Sequence, residues 1–434
     1  MRTHRNIVLT CLFLLGMFTP CAFSEPAIQA GTAQVDITPP LGIPMWGYAS
    51  RTEGAKAIHD PLMAKVLILQ STETTIAIVS WDVCEFQSPW LHDQMKSIGI
   101  DHLLLLCSHT HAGPDLGKPF PSADKPWLKT IEARILQTIK KAQQDMFPAY
   151  INAGEGSITL GYNRLRRDAD GLSTTIFYNP GHIPFGPVDP TVGVIRVTDE
   201  KQKIRAVVVH YACHPVVLGS KNLVLSADYV GAMYRKVEQE LGNDALCLFA
   251  QGGAGDINPL FQGRSEIDEE NFVLVDEMGG FLAKEVLQTL SEMKPDAGKS
   301  IQLRASMETI SVNHRWEPDK KLKFATTALL INSEIGIVTI AGEPFHKFQV
   351  DVREKSALPH AYMFGYCDCA HQDWPNWYFP DIESAARGGY GASDSGIGEV
   401  GTGERIINQG LIQLYTLRGM LRDKPSGGRV GKPY

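Results

Sequence analysis

Leu103-Leu104-Leu105-Leu106-Cys107-Ser108-His109-Thr110-His111-Ala112-Gly113-Pro114-Asp115 is the stretch from which the rest of the chain can be read. The four leucines and Cys107 form a short apolar run, which reads as a strand buried on both faces. The run passes directly into Ser108 to His111, and Ala112-Gly113-Pro114 then ends regular structure. In an extended chain His109 and His111, two apart, point to the same side. Two imidazoles at the mouth of a buried strand suit a metal site, or one metal ligand beside one proton shuttle. An isolated His-x-His is as readily a pair of hydrogen-bonded surface histidines, so the remaining sequence has to discriminate.

The chain has 434 residues, 44% of them hydrophobic, and a formal net charge of -7. That length holds two or three average domains, or one large α/β domain with insertions. Arg164, Arg166 and Arg167 cluster, but they do not form a basic stripe, so nucleic acid is not an expected partner. Arg2 and Arg5 precede an apolar core, Ile7 to Phe18, and Ala22-Phe23-Ser24 supplies small residues for cleavage before Glu25. Residues 1–24 therefore read as a signal peptide, and the protein as secreted or periplasmic. Cys21 leaves lipidation open, although Pro20 fits a lipidation box poorly. No later segment is long and apolar enough for a membrane span. Of the cysteines beyond the leader, Cys84, Cys107, Cys213 and Cys247 sit in apolar runs as buried thiols, and Cys367 and Cys369 are too close to bridge easily.

Ala64–Gln70 and Thr75–Val83 are β-rich runs forming a hairpin-like pair, and Pro89–Ile98 reads as a short helix. Asp124-Lys125-Pro126 opens a helix whose apolar face is Leu128, Ile131, Ile135, Leu136 and Ile139. Tyr150–Gly154, Thr191–Val197, Ile204–Cys213 and Ala245–Ala250 read as strands. So do Ile301–Val312, Ala325–Ile331 and Ile335–Ala341. Helices are expected over Asp228–Leu241, Glu269–Leu290 and Glu404–Leu421, with 163–190 a long loop. With no repeat and no low-complexity linker, one large domain over 25–423 is expected, followed by a disordered tail over 424–434.

Other runs also end in a polar residue followed by Pro or Gly. Val207–Pro215 delivers His214, Ile337–Pro344 delivers Glu343, and an aromatic run ends at Trp377-Tyr378-Phe379-Pro380. Taken singly, each is more simply a capping or packing residue. Jointly the chain resembles the neutral (non-lysosomal) ceramidases. The resemblance is carried by Asp36-Ile37-Thr38-Pro39, Gly47-Tyr48, Ile58-His59, Ser108 to Pro114, Cys213-His214-Pro215 with Ser226-Ala227-Asp228, Phe249 to Pro259, Gly342-Glu343, and Tyr378 paired with Tyr390 twelve positions on.

The resemblance implies an α/β (α+β) fold of mixed β-sheets packed as a sandwich and flanked by helices, in a single catalytic domain. It implies zinc (Zn2+) held by His109, His214, Glu343 and Tyr378, a donor set that zinc accepts. It further implies His111 as general acid/base, and Arg164 and Tyr390 as groups that polarise the carbonyl and stabilise the oxyanion. The activity implied is hydrolysis of the N-acyl amide of ceramide or a related substrate through zinc-activated water. The substrate would be a small molecule or amphiphilic lipid; peripheral membrane contact and oligomeric state stay open.

Three features depart from the family. Asn258 stands where the family carries a serine, which excludes a serine nucleophile there. One helix and a tail follow the tyrosine motif, so the C-terminal β-sandwich usual in the family is not expected. The segment Cys367 to Asn376 looks inserted, and with Arg166, Arg167 and Asp168 it reads as a polar pocket for a sugar. A glycan-directed zinc hydrolase or lyase on the same scaffold is therefore the alternative, and Tyr366 competes with Tyr378 for the tyrosine role. A non-catalytic binding protein would have to lack one of these site residues, and all are present.

Overall fold

The computed structural model describes residues 27–116, 126–242, 244–295, 298, 300–370, 372–373, 377–393 and 395–421. The signal peptide, the tail, the expected cap Asp124, and His371 with 374–376 lie outside that set.

The apolar runs pair into three sheets. In the first, Gln29–Asp36, Met63–Gln70 and Thr75–Trp81 are antiparallel neighbours. His102–Cys107 then lies parallel to Thr75–Trp81, connected by helix α1 (Pro89–Met95) and a short 3₁₀ turn. Along Met63–Gln70, Val66 and Ile68 pack on one side of the sheet while Leu67 and Leu69 pack on the other. A strand covered on both faces has no polar alternation, which is why these runs read as continuously apolar. The second sheet orders Tyr150–Ser157, Thr191–Thr198, Ile204–Tyr211 and Leu246–Gln251, with only the last pair parallel. The third orders Leu303–Asn313, Lys321–Ile331, Ile335–Thr339 and His360–Phe364, again with only the last pair parallel.

The sheets meet over a common core. Leu67, Leu69, Leu104 and Leu106 of the first sheet pack with Ile195, Val208 and Leu248 of the second and Leu329, Ile337 and Phe364 of the third. Truncating one of these, as in Leu104→Ala, would cost about 2–5 kcal/mol. Helix α2 (Pro126–Gln144) covers the outer face of the first sheet through Ile131, Ile135 and Ile139. Helices α3 (Asp228–Glu240) and α4 (Asp268–Glu292) pack in the same outer layer through Val230, Met233, Val275 and Leu282. Helix α5 (His346–Lys355) and, beyond α6 (Ile382–Arg387), helix α7 (Thr402–Leu417) cover the third sheet with Phe348, Val352, Ile406 and Leu414. The fold is α/β with mixed sheets flanked by helices, as expected.

Differences are local. The 163–190 loop contains a small hairpin, Leu165–Arg167 against Ser173–Thr175, and Gly161–Asn163 pairs with Ile257–Pro259. Helix α5 and the strand His360–Phe364 were not anticipated. All six described cysteines are free and buried. No described helix is long and apolar enough to cross a membrane.

Candidate metal centre

Each sheet contains one parallel pair, and the carboxyl ends of all three pairs open toward one place, where α/β folds habitually put their sites. The exits are knitted by backbone bonds. Ser108 N donates to Trp81 O at 3.0 Å, His109 N to Val83 O at 3.0 Å, and Cys107 N to Tyr366 O at 3.2 Å. Gly252 N donates to Tyr211 O at 2.9 Å, Gly365 N to Gln251 O at 2.8 Å, and Tyr366 N to Gly342 O at 3.1 Å. At Gly255 a Cβ would fall 2.5 Å from Glu343 O, so only glycine lets that turn approach the glutamate.

His109, His214 and Glu343 arrive from the first, second and third sheets, and their ligating atoms all lie within 4.8 Å of one another. His214 Nε2 is 2.9 Å from Glu343 Oε2, and His109 Nε2 is 3.4 Å from the same oxygen. Both imidazoles are held from behind: His109 Nδ1 lies 2.8 Å from Cys84 O and His214 Nδ1 3.1 Å from Ile257 O. A carbonyl can only accept, so each Nδ1 carries the proton and each Nε2 turns a lone pair inward. Burial and the neighbouring charges lower His214 to about 4, consistent with a neutral ring. Two lone pairs and a carboxylate facing one another is an arrangement that a cation resolves. These donors fit zinc.

His109 reaches this position differently from the extended-chain expectation. The strand stops at Cys107, and His109 has φ 68°, a left-handed conformation that is costly for a non-glycine residue and recurrent at functional sites. His111 still faces it, Nε2 to Nε2 at 3.2 Å, with Tyr48 edge-on at 5.1 Å. Arg51 fixes that turn by donating to His111 O at 2.5 Å and Trp46 O at 2.8 Å. Burial and the adjacent imidazoles keep His111 well below the usual histidine range.

Glu343 and Tyr378 are opposite each other in a two-residue parallel ladder, Glu343–Pro344 against Tyr378–Phe379, which sets the tyrosine beside the carboxylate. Tyr390 packs on Tyr378 with ring centres 5.3 Å apart. The Arg164 guanidinium lies 5.2 Å from the Tyr378 ring and 5.0 Å from the Tyr390 ring. It donates to Gly255 O at 2.5 Å and to Asn258 Oδ1 at 3.2 Å, so the departure at Asn258 acts as a brace for Arg164. Tyr366, the competing tyrosine, is fully buried with its ring 4.3 Å from that of His109. Only Tyr378 of the two lines the cavity.

That cavity has two lobes sharing Gly47, Tyr48, Ala49, His111, Tyr378 and Tyr390. The smaller, about 220 Å³, adds His109, Glu343 and Glu85. The larger, about 380 Å³, adds Arg164, His214, Phe177, Asn258, Gln262 and Arg264. Glu85 was not singled out from the sequence: it stands past the end of Thr75–Trp81, after Asp82, and Phe86 follows it where the other site runs have Pro or Gly. Burial, then the negative charge of Glu343, pushes its carboxyl well above the usual range.

The remaining motif residues hold the frame. Asp60 accepts from Ser226 Oγ at 2.7 Å and Ala227 N at 3.0 Å, and Tyr229 Oη donates to Cys213 O at 2.7 Å behind His214. The polar pocket expected from Arg166, Arg167 and Asp168 does not form at the site. Arg166 pairs with Asp168 at 3.1 Å and Arg167 with Glu383 at 3.5 Å on an exposed hairpin, because their strand faces solvent. The described part of the 367–377 segment is likewise built into the fold: Asp368 pairs with His92 at 3.0 Å, and Gln372 Oε1 accepts from Ala325 N at 2.9 Å.

A family model described as neutral/alkaline non-lysosomal ceramidase, N-terminal, matches residues 28–273. Among solved structures, the fold is similar to a neutral ceramidase from Pseudomonas aeruginosa, with 14% identity and TM-score 0.73, covering 93% of this chain and 76% of that one. It is also similar to a ceramidase complexed with C2, with 13% identity and TM-score 0.73, covering 93% and 77%. The structural likeness extends past the family match, over the part of the chain that carries Glu343, Tyr378 and Tyr390. With the family matched over more than half of its length, and the fold shared, this chain belongs to the neutral/alkaline non-lysosomal ceramidase family.

Proposed function

We propose that this ceramidase-family protein is a secreted or periplasmic zinc-dependent amidohydrolase that cleaves the N-acyl amide of ceramide or a related N-acylated compound. The observation that carries the reading is the convergence of His109 Nε2, His214 Nε2 and Glu343 Oε2, with both Nδ1 atoms committed to backbone carbonyls. His109, His214, Glu343 and Tyr378 would hold the ion. Bound zinc supplies a Lewis acid and a water acidified to a pKa of about 7. His111 lies at the seam of the two lobes, beside His109, and serves as the base that takes the proton from the attacking water and returns it to the leaving amine. Tyr390 offers its hydroxyl, and Arg164 its positive charge, on the side where the carbonyl oxygen gains charge. The substrate amide sits at the seam with one portion in each lobe.

The test is hydrolysis of a short-chain fluorescent ceramide by the mature protein, with and without chelator, alongside elemental analysis. Chelator-sensitive release of fatty acid is expected. An inactive protein that holds no zinc would sink the reading. The larger lobe favours a second one: Arg264, Gln262 and Asn258 beside the Phe177 ring suit a polar saccharide. Zinc without amidase activity, but with turnover of an oligosaccharide, would move the function there. Export is checked separately, by an N-terminus beginning at Glu25 in the exported protein.

A further inference from the structure

The strand Thr75–Trp81 runs on into Asp82-Val83-Cys84-Glu85 and brings to the cavity a carboxyl that the mechanism above does not use. Glu85 is 6% exposed; among the described residues neither of its oxygens meets an N–H or hydroxyl donor, and the polar group set against it is the Glu343 carboxyl. It lines the smaller lobe and not the larger. Among the described residues it belongs to neither cluster of converging ligand atoms, so it is not placed as a metal ligand. A buried carboxyl without a donor is a standing cost to the fold, and such groups persist where a ligand completes them.

We propose that Glu85 is a specificity-determining residue whose carboxyl accepts a hydrogen bond from a hydroxyl or ammonium group on the portion of the substrate seated in the smaller lobe. This rests on the two lobes being the substrate site of the proposed hydrolase. The lobe's 220 Å³ is below the roughly 300 Å³ at which ordinary ligand pockets begin, so the group it takes is small. A hydrocarbon segment there would seal the carboxyl away from every donor. A polar head satisfies it, which leaves the larger lobe for the longer portion.

The experiment compares zinc-loaded wild type, Glu85→Gln and Glu85→Leu on two amides of one fluorescent acyl group. One is a short-chain ceramide, with hydroxyls beside its amide; the other is a simple alkylamide, which has none. The kcat/KM preference for the hydroxylated amide should fall at least ~10-fold in Glu85→Leu, mainly through KM, and less in Glu85→Gln, which keeps an acceptor. An equal fall on both amides, or no fall, overturns the proposal. Zinc content should match wild type and the melting temperature should be equal or higher. A loss in either gives Glu85 a metal-holding or structural role and overturns the proposal.

Should wild type hydrolyse neither amide, the amidohydrolase reading fails and Glu85 is tested by binding. Ligand-observed NMR with glycerol, propylamine and donor-free 1,3-dimethoxypropane then decides. Glycerol or propylamine bound by wild type and lost in Glu85→Leu supports the proposal and identifies the donor. No binding to wild type, or equal binding to both proteins, overturns it.

Discussion

At Gly47 the backbone takes φ +101°, and a Cβ there would fall 2.4 Å from His111 Nδ1. The residue therefore meets two demands at once, a left-handed turn and room for the imidazole proposed to move the proton. Gly47→Ala should cost about 1–3 kcal/mol in backbone strain. It should also displace the ring, and a displacement near 1 Å lowers turnover on the order of 100-fold. Melting temperature, kcat and zinc content check this; the first two should fall while zinc stays. His111→Ala separates the same ring from the ligands. It should retain zinc and lose about 10²–10⁴-fold in kcat. Zinc loss in that variant would make His111 a ligand and contradict the assignment.

At the scale of elements, the inner strands of the first two sheets, such as Thr75–Trp81, His102–Cys107, Ile204–Tyr211 and Leu246–Gln251, were legible because burial on both faces writes an apolar run. Helix α5 was not. Its buried apolar positions are Phe348 and Val352, set among Lys347, Arg353 and Lys355, and it begins directly after a strand-like Glu343-Pro344. The five-residue strand His360–Phe364 has no flanking pattern that marks it, and it is fixed by its parallel partner Ile335–Thr339. The proposed ligands were legible through short motifs at strand exits. Glu85 leaves its sheet at the same end but sits in no motif, and only the convergence of the parallel pairs places it.

Helix α5 also depends on a distant acid. Its first residue, His346, donates N–H to Asp256 Oδ1 at 2.9 Å, and its imidazole Nδ1 lies 2.6 Å from Asp256 Oδ2. Burial opposes both charges, yet His346 holds Asp256 below the usual carboxylate range, and Asp256 raises His346. The share from Asp256 is present above its unfolded value near ~3.9 and is lost as pH falls through the depressed folded value. The share from His346 is complete below its unfolded value near ~6.5 and is lost as pH rises through the raised one. Both are at full strength between about pH 4 and 6.5. Asp256→Asn should destabilise by about 3–5 kcal/mol in that window. The gap in melting temperature from wild type should narrow on the alkaline side; a gap that stays flat from roughly pH 5 to 9 would mean a neutral hydrogen bond alone.

For the molecule as a whole, what matters is that the candidate ligands come from three different sheets. His109 follows His102–Cys107, His214 follows Ile204–Tyr211, and Glu343 follows Ile335–Thr339. An ion bound only by the folded state adds RT ln(1 + [L]/Kd), about 2.7 kcal/mol at a hundred times Kd. Here that stabilisation would act across the joins between sheets, because no single sheet supplies the ligand set. Chelation should lower the melting temperature of wild type, and should leave a His214→Ala, Glu343→Ala double variant unmoved. Amide exchange gives the finer test. Removing the metal should loosen Ser108–Ala112, Cys213–Val216 and Ala341–Phe345 together, since the proposed ion would tie each exit to the others in addition to the backbone bonds described above. Loosening at one exit alone would place the ion on one sheet, and the three-sheet ligand set would then be wrong even if the enzyme proved to be zinc-dependent.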